Sequence, residues 1–350
     1  MTRRGKIGIM GIYTLLFLVF SLLSMKYGKY TEDYLSGTSA RYEKEAITPG
    51  EIDGALESRK EAGEEVLELT LWNRLKKEKA ENSLTGLQTE TNVIEVYGTM
   101  TQVIPMKFLY GGAVLKEDVH MCVLDSVTAW NLFGTVNAVG NQIIQNEETY
   151  TVKGIIKAED MVMIIPEADT KHKFFNLEAD YLEKGMKSTE SQGQQLKNFL
   201  RNNNLPEPDT VIDGSFQSYI LSGFYHLALW ILAGQLLYLL VSAALLFKNN
   251  KALCFLAGLT AILAVPFLAW LTQFQIRLPE EFIPGKWSDF DFYALKYKEW
   301  KGAILAINHN TILPKDKIRS YYSGRCMFYG ILSAGMLIPV QLWLVRFFRL

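Results

Sequence analysis

The residue types that most often bind metals or act as nucleophiles are sparse in this chain of 350 residues, which has four histidines and three cysteines. His120 and Cys122 stand two positions apart, so on an extended strand they would share one face. A structural zinc site needs four ligands, and no further residues at a suitable spacing accompany this pair. We therefore predict a structural role for His120 and Cys122, and no metal site in the chain.

Short motifs of several enzyme classes are also missing from the sequence. It contains no G-x-x-x-x-G-K-[S/T] phosphate loop, no H-E-x-x-H, no G-x-S-x-G and no C-x-x-C. The chain therefore has no visible means of hydrolysing ATP by the phosphate-loop route, and energy from ATP would have to come from a partner. We expect no enzymatic activity, no cofactor and no catalytic residue.

His226 and Gln235 are polar residues within an otherwise apolar run. A polar residue at membrane depth is a functional candidate by default. Such groups also serve in helix association alone. The sequence leaves both roles open for His226.

Four apolar runs without Asp, Glu, Lys or Arg indicate a membrane protein. A helix of about 20 apolar residues crosses the roughly 30 Å of hydrocarbon in a bilayer. The runs predict four transmembrane helices, at residues 7–25, 214–247, 252–276 and 326–345. The chain is therefore expected to be a multi-pass protein of the cell membrane, with the lipid bilayer as a partner.

The first run could instead belong to a cleaved signal peptide, because basic residues precede it. However, it is longer than a usual signal-peptide core, and no A-x-A-like site follows Met25. An uncleaved first helix is therefore favoured. Cys254 and Cys326 fall in or beside predicted spans, so no disulfide framework is expected.

Basic residues near the spans predict the orientation. Lys and Arg are enriched on the cytoplasmic side, and those within 3–6, 248–251 and 346–349 flank the spans on one face. Both termini would then be cytoplasmic, and residues 26–213 and 277–325 would lie outside, although the second of these loops also carries Lys and Arg. A net charge of −1 without a basic run argues against a nucleic-acid partner.

The predicted architecture is an α+β extracytoplasmic domain inserted between helix 1 and helix 2 of a four-helix transmembrane region. Its segments are an N-terminal tip and helix 1 (1–25), the domain (26–213), helix 2 (214–247), helix 3 (252–276), an outer loop (277–325) and helix 4 (326–345). Aromatic residues of the outer loop, such as Trp287 and Trp300, are typical of anchoring at headgroup level. A ligand site in this loop is the alternative.

Local signals predict helices in the first loop. Thr48, Pro49 and Glu51 form a capping-box pattern that begins a helix over residues 49–59. Asp125 is the expected N-cap of a second helix, over residues 125–133, which is closed by Gly134. The last residue of that helix, Phe133, is expected in the core.

Alternating or short apolar runs predict the strands of the same loop. They lie at residues 67–72, 92–98, 121–124, 142–145, 149–157 and 161–165. Residues 76–90 are rich in charge and are expected to be a solvated connection. Residues 177–204 are polar and helix-compatible, with one weakly apolar face.

An ordered series of segments between Tyr97 and Ile165 carries a family resemblance. The segments are 109–118 (LYGGAVLKED), 122–125 (CVLD), 129–134 (AWNLFG), 137–143 (NAVGNQI) and 150–156 (YTVKGII). Their order resembles the extracytoplasmic core domain of MacB-like ABC transporter permeases, the MacB/FtsX type. Ala138 and Val139 stand where that family usually has Pro and Ile.

The resemblance implies one helix, an extracytoplasmic domain and three further helices. Members of this family are permease-like subunits that bind no ATP themselves and are driven by a separate or fused ABC ATPase. They transmit motion to the ectodomain for export, peptide resistance or control of cell-wall enzymes. An extracytoplasmic protein or peptide is therefore an expected partner.

The connection between helices 2 and 3 departs from the family. Family permeases have a substantial cytoplasmic segment there that docks on the ATPase, whereas residues 248–251 leave a short turn. A standard interface buries roughly 800 Å² per partner, which the pieces 1–6, 248–251 and 345–350 can hardly supply. We expect at most a weak contact with an ATPase, and a second permease subunit in any coupled complex. The rival hypotheses are a membrane-tethered binding or scaffold protein that has lost ATPase coupling and, third, a membrane-bound enzyme.

Overall fold

The structure, a computed structural model, describes residues 3–63, 67–75, 77–104, 107–158, 160–181, 191–246 and 314–348, with scattered positions between 252 and 301. The chain divides into two compact units. The helical unit consists of Met1–Leu35, Phe216–Leu278 and Arg319–Leu350, and the sheet unit of Ser36–Ser215 and Pro279–Ile318. The chain therefore passes between the units four times, next to residues 35, 215, 278 and 318.

Eleven strands of the described residues form one sheet in the sheet unit. In chain order they are β1 Thr38–Arg41, β2 Leu67–Arg74, β3 Glu78–Asn82, β4 Gln88–Tyr97, β5 Phe108–Gly111, β6 Met121–Asp125, β7 Gln142–Gln145, β8 Glu148–Ile156, β9 Val162–Pro166, β10 Asn176–Tyr181 and β11 Thr210–Asp213. The pairs β4–β9 and β6–β8 are parallel, and the other pairs are antiparallel.

Six of the strands close on themselves. From β4 the pairing runs through β3, β7, β8, β6 and β9 and returns to β4, while β5 pairs with β8 beside this path. We call these six strands the six-strand ring. From β4 the sheet also continues through β2, β10 and β1 to β11, and we call these four strands the terminal sheet.

The two predicted helices of the sheet unit are confirmed, with their caps. The N–H of Glu51 donates to the Thr48 hydroxyl, and the Glu51 carboxylate accepts from the Thr48 N–H at 2.8 Å. Asp125 accepts from the Thr128 N–H at 2.9 Å, and the helix ends at Gly134 in the left-handed region, φ 67°. Among the described residues of Ser36–Ser215, the helices are α2 Pro49–Glu61, α3 Met100–Val103, α4 Ser126–Phe133 and α5 Gln192–Asn202.

Strands occur at all six predicted places, and two other predictions for this loop are wrong. Residues 76–90 are not a mere connection, because β3 and the start of β4 pair there and bury Ala80. Residues 177–204 are not one helix, because β10 occupies its beginning and α5 only its later part. The charged residues of β3 alternate with buried ones, and this period of two is the strand signal that the charge count masked.

Three buried apolar clusters form the core of the sheet unit. One packs α2 and α5 on the terminal sheet, one lies against α4, and one surrounds Trp72. Leu132 of α4 is 1% exposed, whereas Phe133 is only partly buried and packs at the edge of its cluster. The expectation that Phe133 is a core residue is therefore wrong, and the core residue at the end of α4 is its neighbour Leu132.

Long helices dominate the helical unit. They are α1 Arg3–Tyr34, α6 Gly214–Leu246 and α7 Pro314–Phe348. Of the helices within the described residues, α1 is the one whose length and apolar composition suffice for a membrane span, over Gly8–Tyr34. The four-span arrangement as a whole stays a prediction.

The predicted spans compare with these helices as follows. The second coincides with α6, and most of the third lies outside the described residues. The first predicted span lies within α1, which continues to Tyr34, and the fourth lies within α7, which starts at Pro314. Residues 292–298 of the predicted outer loop are helical as well.

Small residues bring the helices of the helical unit close together. A Cβ on Gly330 of α7 would lie 2.7 Å from the Phe224 carbonyl oxygen of α6. The buried Ser24 hydroxyl of α1 donates to the Cys326 carbonyl of α7 at 2.8 Å. Glycine and serine at helix contacts, with a hydrogen bond between helices, are typical of packing in lipid.

Candidate functional site

A buried carboxylate lies at the centre of the terminal sheet. Glu178 alternates along β10 with Leu177 and Ala179, which face the apolar cluster of α2 and α5. Because side chains on a strand point alternately to opposite faces, Glu178 is directed away from that cluster. It is nevertheless only 1% exposed, so its charge must be balanced by protein groups.

Lys315 supplies the closest opposite charge. It is the second residue of α7, is 3% exposed, and forms a short ion pair with Glu178 Oε2. Its ammonium also donates to the Gln102 carbonyl at 2.6 Å. The first turn of α7 is thus bound to β10 and to the residues of α3 within the sheet unit.

Arg41 and Ser39, both on β1, complete the ligation of Glu178. Arg41 donates to Glu178 Oε1 at 2.9 Å, and the Ser39 hydroxyl donates to Oε2 at 2.6 Å. The Trp72 indole N–H of β2 donates to Oε1 at 3.1 Å. The four carboxylate contacts therefore come from three elements: two from β1, one from β2 and one from α7.

A second carboxylate balances the second cation. Asp316, 8% exposed, lies 3.6 Å from the Arg41 guanidinium, and the same guanidinium stands 5.2 Å from the centre of the Trp72 ring. Two positive and two negative side chains are thus enclosed together. We call Ser39, Arg41, Trp72, Glu178, Lys315 and Asp316 the buried charge network.

Electrostatics favour the charged form of Glu178. Burial alone would raise the pKa of its carboxyl, but Lys315 and Arg41, with the hydrogen bonds from Lys315 and Ser39, lower this pKa to about 2. Glu178 is therefore ionised at neutral pH and Lys315 faces a full negative charge. Removal of either partner from such a buried, hydrogen-bonded ion pair strongly destabilises the folded state, because it leaves the other charge buried without compensation.

The network binds together segments of the sheet unit that are far apart in the sequence. β1 begins shortly after residue 35, and it pairs with β11, which ends shortly before residue 215, through Thr38↔Asp213 and three further residue pairs. The first turn of α7 lies just before residue 318 and is bound through Lys315. A displacement of the first turn of α7 would therefore act directly on β10 and β1.

The residues singled out from the sequence lie elsewhere. Cys122 is fully buried in the core, whereas His120 is exposed, and the structural role of the pair stays a prediction. His226 is buried in the helical unit with its ring 4.3 Å from that of Tyr225. The side chain of Gln235, Trp287 and Trp300 lie outside the described residues.

Sequence reasoning missed the buried charge network because its residues are far apart. Glu178 and Lys315 were assigned to a polar helix and to an outer loop. Two signals were present: Leu177 and Ala179 alternate with Glu178, and Pro314 followed by Asp316 is a helix-start pattern. Neither signal indicates that Glu178 and Lys315 meet.

The chain matches no protein-family model and no curated protein. Several solved structures are similar to it, among them the following three. The periplasmic region of MacB from Actinobacillus actinomycetemcomitans is 12% identical, with a TM-score of 0.41, and the match covers 51% of this chain and 89% of that one. The extracellular domain of the noncanonic ABC-type transporter YknZ from Gram-positive bacteria is 15% identical, with a TM-score of 0.37, over 49% of this chain and 96% of that one.

The third is a domain of a putative permease protein from Porphyromonas gingivalis, 12% identical, with a TM-score of 0.34, over 47% of this chain and 81% of that one. Each match covers about half of this chain. The chain resembles MacB-like permease domains in these comparisons, as it does in the ordered motifs between Tyr97 and Ile165.

Proposed function

We propose that this chain is a permease-like membrane subunit without ATPase activity, which transmits motion between membrane helices and an extracytoplasmic domain. The observation that carries the proposal is the burial of Lys315, in the first turn of α7, against Glu178. A lysine in the first turn of a helix is opposed by the helix dipole. Its place there is explained by the attachment to β10.

Because α7 is continuous, its attachment to β10 can transmit a movement along the helix. The helix runs unbroken from Pro314 to Phe348, so it begins among residues of the sheet unit and continues in the helical unit. A hydrogen-bonded helix transmits displacement along its axis better than a flexible linker does. The ordered motifs that resemble MacB-like permeases support the same role, and they are independent of Lys315.

The alternative is a membrane-tethered extracytoplasmic binding or scaffold protein. The short connection at residues 248–251 favours this alternative, because it offers a cytoplasmic ATPase too few residues for a standard interface. Under this alternative the buried charge network serves stability alone. The two functions differ in whether an ATPase accompanies the chain.

Purification with a tag on this chain in mild detergent separates the two. The permease-like function predicts recovery of an ABC ATPase together with a second permease subunit. Recovery of the chain alone, or with only an extracytoplasmic protein, would instead support the scaffold. A stable one-to-one complex with an ATPase and no other membrane subunit would support a direct permease role and contradict the predicted weak contact.

The outside location of the sheet unit is tested by labelling. Leu84, in the turn between β3 and β4, is 87% exposed, so a cysteine there is accessible to a labelling reagent. Ser191 is less suitable for labelling, because it is a buried helix cap. We expect a cysteine at Leu84 (Leu84→Cys) to react with an impermeant maleimide on intact cells, and the parent chain to give the background. Labelling of the variant only after lysis would refute this orientation.

A further inference from the structure

Three potential metal ligands meet at one end of the parallel pair β4–β9. Glu95 lies on β4 opposite Ile165 of β9, and Glu167 follows β9 directly, with its N–H donating to the Val96 carbonyl at 2.9 Å. The chain then turns back, so that His172 returns to Glu95. Strand register and one short loop thus place the three side chains together.

The spacing of the ligand atoms suits one cation. His172 Nε2 lies 3.2 Å from Glu95 Oε2, and Nδ1 lies 3.6 Å from Glu167 Oε2. One possible ligand atom from each residue can be chosen such that all three lie within 4.8 Å of one another. In a tetrahedral zinc site with bonds of about 2.0 Å, ligand atoms stand about 3.3 Å apart, so the separations, which are up to 4.8 Å, must shorten by up to about 1.5 Å when one ring nitrogen binds the ion.

The carboxylate oxygens that face His172 are not used up by other contacts. Glu95 Oε2 is shielded from solvent and has no aligned hydrogen bond, although His172 Nε2 is close to it. Glu167 Oε1 accepts from the N–H groups of Ala168 and Asp169, which leaves Oε2 directed at His172. One oxygen of each carboxylate is therefore available to a cation.

Neighbouring groups hold the site in shape. The Asn73 carbonyl oxygen accepts from the Phe175 N–H at 2.9 Å, and its amide nitrogen donates to the Lys173 carbonyl at 2.8 Å. Asn73 thus fixes the end of the loop, and its amide nitrogen also lies 3.5 Å from His172 Nε2.

We propose that Glu95, Glu167 and His172 form a binding site for one zinc-like divalent cation, with a remaining position open to water. One imidazole and two carboxylates are a ligand set that zinc accepts. The side chains are 13%, 25% and 31% exposed for Glu95, Glu167 and His172, so an ion can enter from solvent. The bound ion would fasten the loop between β9 and β10 to β4, whatever the role of the chain in transport.

Zinc binding to the full chain is the direct test. The protein, purified in detergent with a tag free of histidine and stripped with a chelator, is titrated with Zn²⁺ in competition with a chromophoric chelator. We expect one ion per chain in the wild type. His172→Gln and Glu95→Gln should each weaken binding at least about tenfold, as the loss of ligand-shell groups does.

His120→Gln is the matched control, because His120 is an exposed histidine of the same unit. It should leave the affinity unchanged. Equal affinity in His172→Gln, or loss of binding in His120→Gln, would overturn the proposal. No uptake of Zn²⁺ by the folded wild type would also overturn it and would leave a histidine that only bridges two carboxylates.

A second measurement needs no variant, in case the substitutions impair folding. His172 in the wild type is treated with diethyl pyrocarbonate with and without Zn²⁺, and the modified peptides are quantified by mass spectrometry. Zinc should protect His172 and leave His120 unaffected. Equal modification of His172 in both conditions would contradict the proposed site.

Discussion

The six-strand ring and the terminal sheet each bury a carboxylate, and they hold it in different ways. Asp125, in the ring, accepts from the N–H groups of Thr128 and Met161 at 2.9 and 3.0 Å. Burial raises its pKa, and these hydrogen bonds only partly counteract the effect. Glu178, in the terminal sheet, has a lowered pKa because it faces Lys315 and Arg41.

The two carboxylates therefore have different structural roles: Asp125 caps a helix, whereas Glu178 connects distant segments of the chain. Asp125 caps the helix that follows it through Thr128 and also accepts from Met161, so its partners are neutral backbone N–H groups. Glu178 binds β1, β2 and the first turn of α7, which are distant in the sequence. The ring thus balances its buried carboxylate with backbone N–H groups, and the terminal sheet balances its own with charged side chains from distant segments.

Removal of a partner from the Glu178–Lys315 pair should give the largest effect. Glu178→Gln or Lys315→Met should each cost about 3–5 kcal/mol of unfolding free energy, because the remaining buried charge loses its compensation. The double variant should cost less than the sum of the two. Pulse proteolysis of the full chain in urea and mild detergent measures these differences.

Lys317→Met is the matched control for the substitutions of Glu178 and Lys315. Lys317 lies two residues along α7 and pairs at 2.7 Å with Asp160, but both are substantially exposed. Its loss should cost no more than about 1 kcal/mol. Equal losses for Lys315 and Lys317 would remove the distinction between the network and an ordinary surface pair.

The ring can be tested by its core. Leu132→Ala should cost about 2–5 kcal/mol, because Leu132 is fully enclosed. Phe133→Ala should cost clearly less despite the larger side chain, because Phe133 is partly exposed at the edge of its cluster. The same proteolysis assay checks the order, and a reversed order would contradict the assigned faces of α4.

The two carboxylates should also respond differently to acid. The pKa of Glu178 is lowered from 4.5 to about 2 in the folded state, so its stabilisation is present above pH 4.5 and is lost as pH falls towards 2. The linked free energy is on the order of 3 kcal/mol. Asp125, whose pKa is raised, should not lose stabilisation over this range.

Unfolding free energies of the wild type and of Glu178→Gln between pH 7 and pH 3 test this response. The gap between the two proteins should narrow as the pH falls, because only the wild type has the Glu178 carboxylate to protonate. Other carboxylates titrate in both proteins and cancel in the comparison. A gap that stays constant would show that Glu178 is not the acid-sensitive group.

The smallest expected effect concerns the capping box of α2. Thr48→Ala removes the cap on the Glu51 N–H and should cost about 1 kcal/mol. Ser58→Ala, in the interior of the same helix, should change stability little, because the Ser58 hydroxyl only bonds back to the Gly54 carbonyl. Thermal unfolding of both variants gives the comparison, and similar shifts would argue against the cap.

Local signals in the sequence determined many of the helix ends and turns of the sheet unit. Asp125 and Gly134 mark the ends of α4, Asn146 and Glu147 form the turn of a hairpin with positive φ angles, and Thr48 begins α2. Caps and turns involve residues a few positions apart, so they can be recognised from the local sequence. The first apolar helix was legible for the same reason, although its end at Tyr34 was not.

Only the tertiary structure decided where the charged residues lie. Glu178 and Lys315 are 137 positions apart, and in the sequence each is an ordinary polar residue of a polar stretch. Glu95, Glu167 and His172 show no motif, because the parallel register of β4 and β9 places the first two together and a loop returns the third. Burial makes these charges significant, and burial depends on strand order, which the local sequence does not specify.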